Sequence, residues 1–375
     1  MADTVGAILL TGITLYAVLG GADFGAGLWD LLAGGEQRGR PVRQLIDEAI
    51  TPVWEANHVW LIFDLVVFWT AFPRAFAAVM TTVALPLWLA LAGIVLRGSG
   101  FAFRDQIEQP MFKRAAGTAF ALSSLVTPFF MGTVVGAVAT GHIRADGARA
   151  NVEAWSNPTA VLAGSLFVVA CAYLAAVYLT RQAERRNDRR LRRYFALRAR
   201  SAGVGAAALS VSLLAALHGS NHALYARLTG RALPLVIVAA LCGLVTFTAI
   251  SVAPARRLRD IAAIGVAAVI WGWGVAQYPH LLPATSVTLS NAGAPHDTLA
   301  ALLVVFAAAL VLVVPSGVLL FSLQERQVLQ VRGTLWHPDG SEPGTSPRSV
   351  PADGPHPDTV LSSGAVARWR RRRST

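Results

Sequence analysis

Four acidic residues lie inside or beside stretches apolar enough to cross a membrane: Asp23, Asp30, Glu55 and Asp64. A charge at mid-bilayer is expensive, so an acid persists there with a partner or with a purpose. Asp23 sits in GGADFGAGLWD, where Gly20, Gly21, Gly25 and Gly27 let another backbone or a cofactor come close. Asp30 follows seven residues on, which puts it on nearly the same helix face, roughly 10 Å nearer the cytoplasm. Glu55 opens the next apolar stretch. Asp64 lies about 180° around a regular helix from Glu55, off any path that Glu55 faces. Asp30, Asp23 and Glu55 form a ladder with the character of a proton-uptake route, Asp30 its weaker rung. The plainer reading is that these acids cap helices or pair with Arg97, Arg104 or neighbouring arginines.

The run Thr51-Pro-Val-Trp-Glu-Ala-Asn-His-Val-Trp60 surrounds Glu55. Pro52 suits a first helical turn, and Trp54 and Trp60 suit a membrane interface. His58 is three residues from Glu55, close enough to touch it. Its imidazole could ligate haem or a metal, or simply hydrogen-bond. The other histidines fall at helix ends, in loops or in the tail, and Met80 and Met131 have no evident partner. Haem held between helices needs axial ligands paired at depth, so the chain is expected to hold no haem and no metal of its own. Near the other end, Trp271-Gly-Trp-Gly-Val-Ala-Gln-Tyr-Pro-His-Leu-Leu-Pro283 leaves a helix. Trp271, Trp273 and Gln277 there read either as an aromatic belt or as a quinone or lipid contact. Cys171 and Cys242 lack metal-site spacing and read as packing residues.

The elements that must position these groups are helices. Only 14% of the 375 residues are charged and 54% are hydrophobic, well below the charge of a soluble domain. Nine apolar stretches are expected as helices near 5–33, 53–72, 77–96, 117–140, 159–180, 201–218, 232–253, 261–278 and 299–323. The expected fold is all-α: a polytopic membrane domain over residues 1–330, two four-helix bundles plus one peripheral helix. RQLIDEAI, in the gap 34–52, suggests an amphipathic turn at the interface. Of the 32 Lys and Arg residues, only Arg74, Arg144, Arg149, Arg227 and Arg231 lie on one side; all the others fall in alternate gaps and the tail. By the positive-inside rule the N-terminus is outside and the C-terminus cytoplasmic, in a bacterial inner membrane. The net charge of +11 therefore points to anionic lipid headgroups and not to nucleic acid. MADTVGAILL has no basic n-region and reads as the start of a retained helix. Residues 331–375, rich in Pro, Gly and Ser and ending in a basic patch, are expected to be a disordered cytoplasmic tail.

GGADFGAGLWDLL, ITPVWEANHVWLI, LRGSGFAFR and WGWGVAQYPHLLP, in that order, resemble subunit II of the cytochrome bd quinol oxidases over roughly residues 5–325. The WEANHVW wording is similar to the cyanide-insensitive branch. The resemblance implies a nine-helix, haem-free partner of a haem-binding subunit I. That complex oxidises quinol, reduces O2 to water and builds proton motive force without pumping. It takes chemical protons from the cytoplasm, and subunit II helps form that path. Asp23 and Glu55 match the acids implicated in it, Glu55 standing where some members have Asp. Trp54, Asn57, His58 and Trp60 match the channel wall, with His58 where some members have Gln. A structurally bound quinone and a small accessory subunit occur in some members. A secondary transporter with a midplane acidic site is the alternative, since nine helices, buried acids and glycine-broken segments fit it too. The four ordered motifs and the lack of a clear inverted repeat favour the oxidase.

Overall fold

Long apolar runs leave the backbone little choice in a membrane: hydrogen bonds must close within each segment, and helices do that. The computed structural model describes residues 1–50, 54–103, 110–145, 149–283 and 285–325. Among them the order is α1 Ala2–Leu31, α2 Glu36–Ile50, α3 Trp54–Ala71, α4 Pro73–Thr82, α5 Ala84–Phe103, α6 Pro110–Thr140 and α7 Val152–Ser156. There follow α8 Pro158–Arg185, α9 Arg189–Ser220, α10 His222–Thr229, α11 Leu233–Ala249, α12 Ala255–Gln277, α13 Leu289–Ala292 and α14 His296–Glu325. No strand occurs among the described residues beyond one isolated bridge, His280 to Thr288. The fold is all-α, as expected.

Among the described residues six helices are long and apolar enough to cross a membrane, and up to eight spans result if each of two bent pairs is one span. The bends are 119° between α3 and α4 and 69° between α10 and α11. Both have a local cause. Pro73 and Pro234 stand in the first turns of α4 and α11, where the missing N–H costs nothing but the preceding helix cannot run on. The helix expected near 77–96 is also divided: α4 ends at Thr82 and α5 begins at Ala84. The gap 34–52 holds the helix α2 instead of a turn, and its marked polar and apolar faces suit an interface. The most basic gap, 181–200, is mostly helical too. Arginine is a good helix former, and the break is confined to residues 186–188. Asn187 there takes a φ of 55°, and the Asp188 carboxylate caps α9 by accepting from the N–H groups of Arg190 and Leu191.

The chain divides into one unit, Met1–Leu320, and a second, Phe321–Thr375, in which the described residues are the last of α14. The expectation for residues 331–375 lies outside the described residues. Within the first unit α1 is the hub: it packs on α3, α6, α8 and α12. α8 also pairs with α9 and α6, α5 with α6, and α11 with α12. Close approach of α1 and α8 depends on Gly25, since a Cβ there would overlap the main-chain carbonyl of Cys171. Cys171 is buried and Cys242 half-buried, both as free thiols. The outward faces are apolar, most plainly on α14, where Val304, Val311 and Leu312 are about 70% exposed. A polar solvent would not favour that surface; lipid or a protein partner would.

Candidate functional site

The α1–α3 seam brings the chemistry together. Asp23 is 3% exposed, on the α1 face turned towards its neighbours. Asn57 of α3, also buried, donates from Nδ2 to Asp23 Oδ2 at 2.6 Å and, at 3.4 Å, to the main-chain oxygen of Leu19. On the other side stands Arg97 of α5, 2% exposed. Its Nη2 donates to the main-chain oxygen of Asp23 at 2.8 Å, and its Nη1 to Ser124 Oγ of α6 at 2.6 Å. Ser124 Oγ in turn donates to the Phe120 carbonyl at 2.7 Å. The guanidinium also lies over the rings of Phe24 and Phe120, at 5.0 and 4.7 Å from their centroids. A buried carboxyl group and a buried cation thus share one satisfied network drawn from α1, α3, α5 and α6. Such an arrangement can hold a proton or a negative charge in the interior of the bundle.

Asp30 sits at the end of α1 and is also buried. An acid at a helix C-terminus meets the wrong end of the dipole. Arg43 of α2 offsets this, with Nε 3.0 Å from Asp30 Oδ1, while its Nη2 donates to the Gly34 carbonyl at 2.7 Å. Next to Asp30, Trp29 Nε1 donates to the Ala172 carbonyl of α8 at 2.8 Å, which fixes this end of α1. The ladder therefore runs up α1 from a half-exposed ion pair to a dry interior.

His58 meets the rings of Tyr16 and Phe24 edge-on, at centroid separations of 6.1 and 6.0 Å. Trp60 packs edge-on to Phe63 and against the small core formed by Tyr16, Phe24 and Cys171. Trp54 and Glu55 belong to α3, but their side chains lie outside the described residues. Asp64 shares its α3 face with Asn57, seven residues away, and contacts Gly12 of α1. Among the described residues no group of three or more His, Cys, Asp or Glu side chains could hold a metal ion.

One family model matches residues 1–324, that of cytochrome bd terminal oxidase subunit II. The chain belongs to this family. Subunit 2 of the cytochrome bd ubiquinol oxidase of Bacillus subtilis is 26% identical over 176 residues, 46% of this chain and 50% of that protein. Subunit 2 of the cytochrome bd-I ubiquinol oxidase of Escherichia coli K12 is 30% identical over 135 residues, 36% of this chain and 35% of that one. The aligned regions thus span half or less of these relatives. The bd oxidase of Geobacillus thermodenitrificans has a chain of the same fold, with a TM-score of 0.67 at 21% identity, covering 88% of this chain and 99% of that one. Membership of a bd oxidase subunit II family favours the oxidase over the transporter.

Of the expected site residues in this subunit, Asp23, Asn57 and His58 converge, with Trp60 behind them. Arg97 was named as one possible partner of the acids, but its burial was not expected, and Ser124 was missed. Arg97 was expected at the closing, basic end of its helix, yet it is buried against Asp23; its place among apolar residues in LALAGIVLRGSG was the available signal. Ser124 carried no signal, because a serine inside a long apolar helix usually bonds its own preceding turn. At the far segment, Gln277 Nε2 donates to the Leu281 carbonyl at 2.8 Å and so ties the end of α12 to the turn beyond. Gln277 also lines a cavity of about 220 Å³ with Asn221, Arg227, His280 and Thr285. Trp273 packs against the buried apolar cluster that contains Leu217, Leu224, Leu228 and Ala276, and Trp271 is half-buried.

Proposed function

We propose that this chain is the haem-free second subunit of a quinol-oxidising terminal oxidase and supplies its proton-uptake path. With a haem-binding subunit I it couples quinol oxidation to reduction of O2 to water. The complex builds proton motive force by taking chemical protons from the cytoplasm, without pumping. The observation that carries the reading is the Asp23 carboxyl, buried at mid-helix yet held by Asn57 and backed by Arg97, in a chain of this family. Protons enter at Asp30, where Arg43 keeps the carboxylate at a half-exposed mouth, and move to Asp23 and Glu55. Asn57, His58, Trp54 and Trp60 form the wall. The cavity beside Gln277 is the place for a lipid or quinone contact near Trp271 and Trp273.

The same reading places the chain in the bacterial inner membrane with its N-terminus outside. Its nine spans are the six long helices, the two bent pairs and α5, set as two four-helix bundles with α14 peripheral. Replacing Asp23 with Asn in the assembled complex tests the path. Quinol oxidase turnover should fall by about tenfold or more, which is ~1.4 kcal/mol or more on the barrier, while the haem spectrum stays unchanged. Full turnover with unaltered charge movement would remove Asp23 from the path; loss of haem would make it a structural acid.

A further inference from the structure

The seam between α1 and α3 does not end at Asp23. Two more polar groups lie buried in it, and among the described residues neither has a hydrogen-bond partner: Tyr16 Oη and Asp64 Oδ1. Tyr16 is 6% exposed and Asp64 8%. Their positions follow from helix geometry. On α1, Tyr16 is seven residues before Asp23 and one turn beyond Gly12, so all three share a face. On α3, Asp64 is seven residues beyond Asn57, so the residue that binds Asp23 and the residue that meets Gly12 also share a face. The Asp64 carboxylate occupies the space a side chain at position 12 would need. Gly12 thus lets an acid lie between two helices where a larger residue would exclude it.

A carboxyl oxygen left without a partner in so dry a place is costly, whether the group is charged or merely polar. The fold had cheaper choices for that position, since a leucine would fill the same seam. We infer that Asp64 is a proton-carrying residue that continues the path beyond Asp23, with the Tyr16 hydroxyl between them. The inference rests on the proton-path reading of Asp23 given above. In the step, an O–H bond breaks at the Asp23 carboxyl as one forms at the Asp64 carboxylate, the proton being carried along the seam by the Tyr16 hydroxyl with water on either side of it. Asp23 is left as the carboxylate and Asp64 as the acid; no electron moves. From Asp30 to the level of Gly12 the polar groups then follow about 27 Å of α1, most of the thickness of a bilayer's hydrocarbon core. The charged and titratable groups that face this stretch are Asp23 and Tyr16 of α1, His58 of α3, Arg97 of α5 and Cys171 of α8.

The test uses the whole complex in lipid vesicles, with Asp23→Asn, Asp64→Asn and Tyr16→Phe prepared in parallel. Each is measured for haem content, quinol KM, turnover and the rate of vectorial proton uptake. Asp64→Asn should slow uptake and turnover by about tenfold, with haem content and KM unchanged, and Tyr16→Phe should slow both to a smaller degree. An infrared difference spectrum taken on reduction should show a carboxyl C=O band that shifts in D2O and vanishes in Asp64→Asn. A merely structural acid would move neither the uptake rate nor that band. If Asp23→Asn slows uptake while Asp64→Asn runs at the native rate, the extension is overturned and the path to Asp23 stands. If neither slows it, both fall. Should Asp64→Asn fail to assemble, Tyr16→Phe decides: slowed uptake supports the inference, and a native rate overturns it.

Discussion

The two ends of the α1–α3 seam treat their carboxyl groups in opposite ways. At Asp23 three polar groups have counterparts: Asn57 on the carboxylate, Arg97 on the carbonyl, Ser124 on the guanidinium. At Asp64, about 16 Å further along α1, a glycine makes room and a carboxylate oxygen is left without a donor. The first end is built for holding: its network draws on four helices, and removing a member leaves a buried charge exposed to low dielectric. The second end is built for access, because a group with spare hydrogen-bonding capacity can accept a proton without first breaking a bond. A relay needs both, a site that is defined and a site that is free to receive.

The comparison can be broken at its strong end. Arg97→Leu strips two charge-assisted hydrogen bonds and leaves Asp23 and Ser124 facing an apolar side chain. The expected loss is about 3 kcal/mol or more, seen as a fall in the thermal midpoint of the purified complex and in its yield. A midpoint within a degree of native would mean that the network contributes nothing net. Gly12→Ala sharpens the contrast at the weak end. The added methyl must displace the Asp64 carboxylate or part the helices, at about 1–3 kcal/mol. Its thermal midpoint should fall by less than that of Arg97→Leu, and uptake should slow as Asp64 is pushed from its place. The smallest effect belongs to the mouth. Arg43→Gln removes the ion pair to Asp30, whose arginine is 28% exposed. Partial solvent screening limits the stability change to about 1 kcal/mol or less, measured by the same melting curve.

Much of this was legible before any coordinates. The acids stood out because apolar segments do not carry charges idly, and Asp23 among glycines on one helix marked a close-packed site. The seven-residue spacing placed Asp30 on the face of Asp23, and the structure has both buried on α1. The WEANHVW run supplied Asn57 and His58, which meet Asp23 and its neighbours Tyr16 and Phe24. Less legible were the breaks. An apolar run crosses Val83 with little change in hydropathy, so composition alone merges α4 with α5. The arginines of the gap 181–200 looked like a loop because charge marks a membrane boundary. They are equally good helix formers, and the helices run on into that gap.

The amino-acid sequence by itself determined the class of molecule and which acids had to be explained, because both follow from transfer energies and from spacing along one helix. It could not decide partners across helices. That Arg97 turns inward to the carbonyl of Asp23, that Ser124 receives it, and that Asp64 falls against Gly12 depend on the packing of α1 against α3 and of α5 against α6. Those choices are made by side chains far apart in the chain competing for one buried volume, where every polar group must find a counterpart or remain without one. Only the tertiary structure carries out that competition.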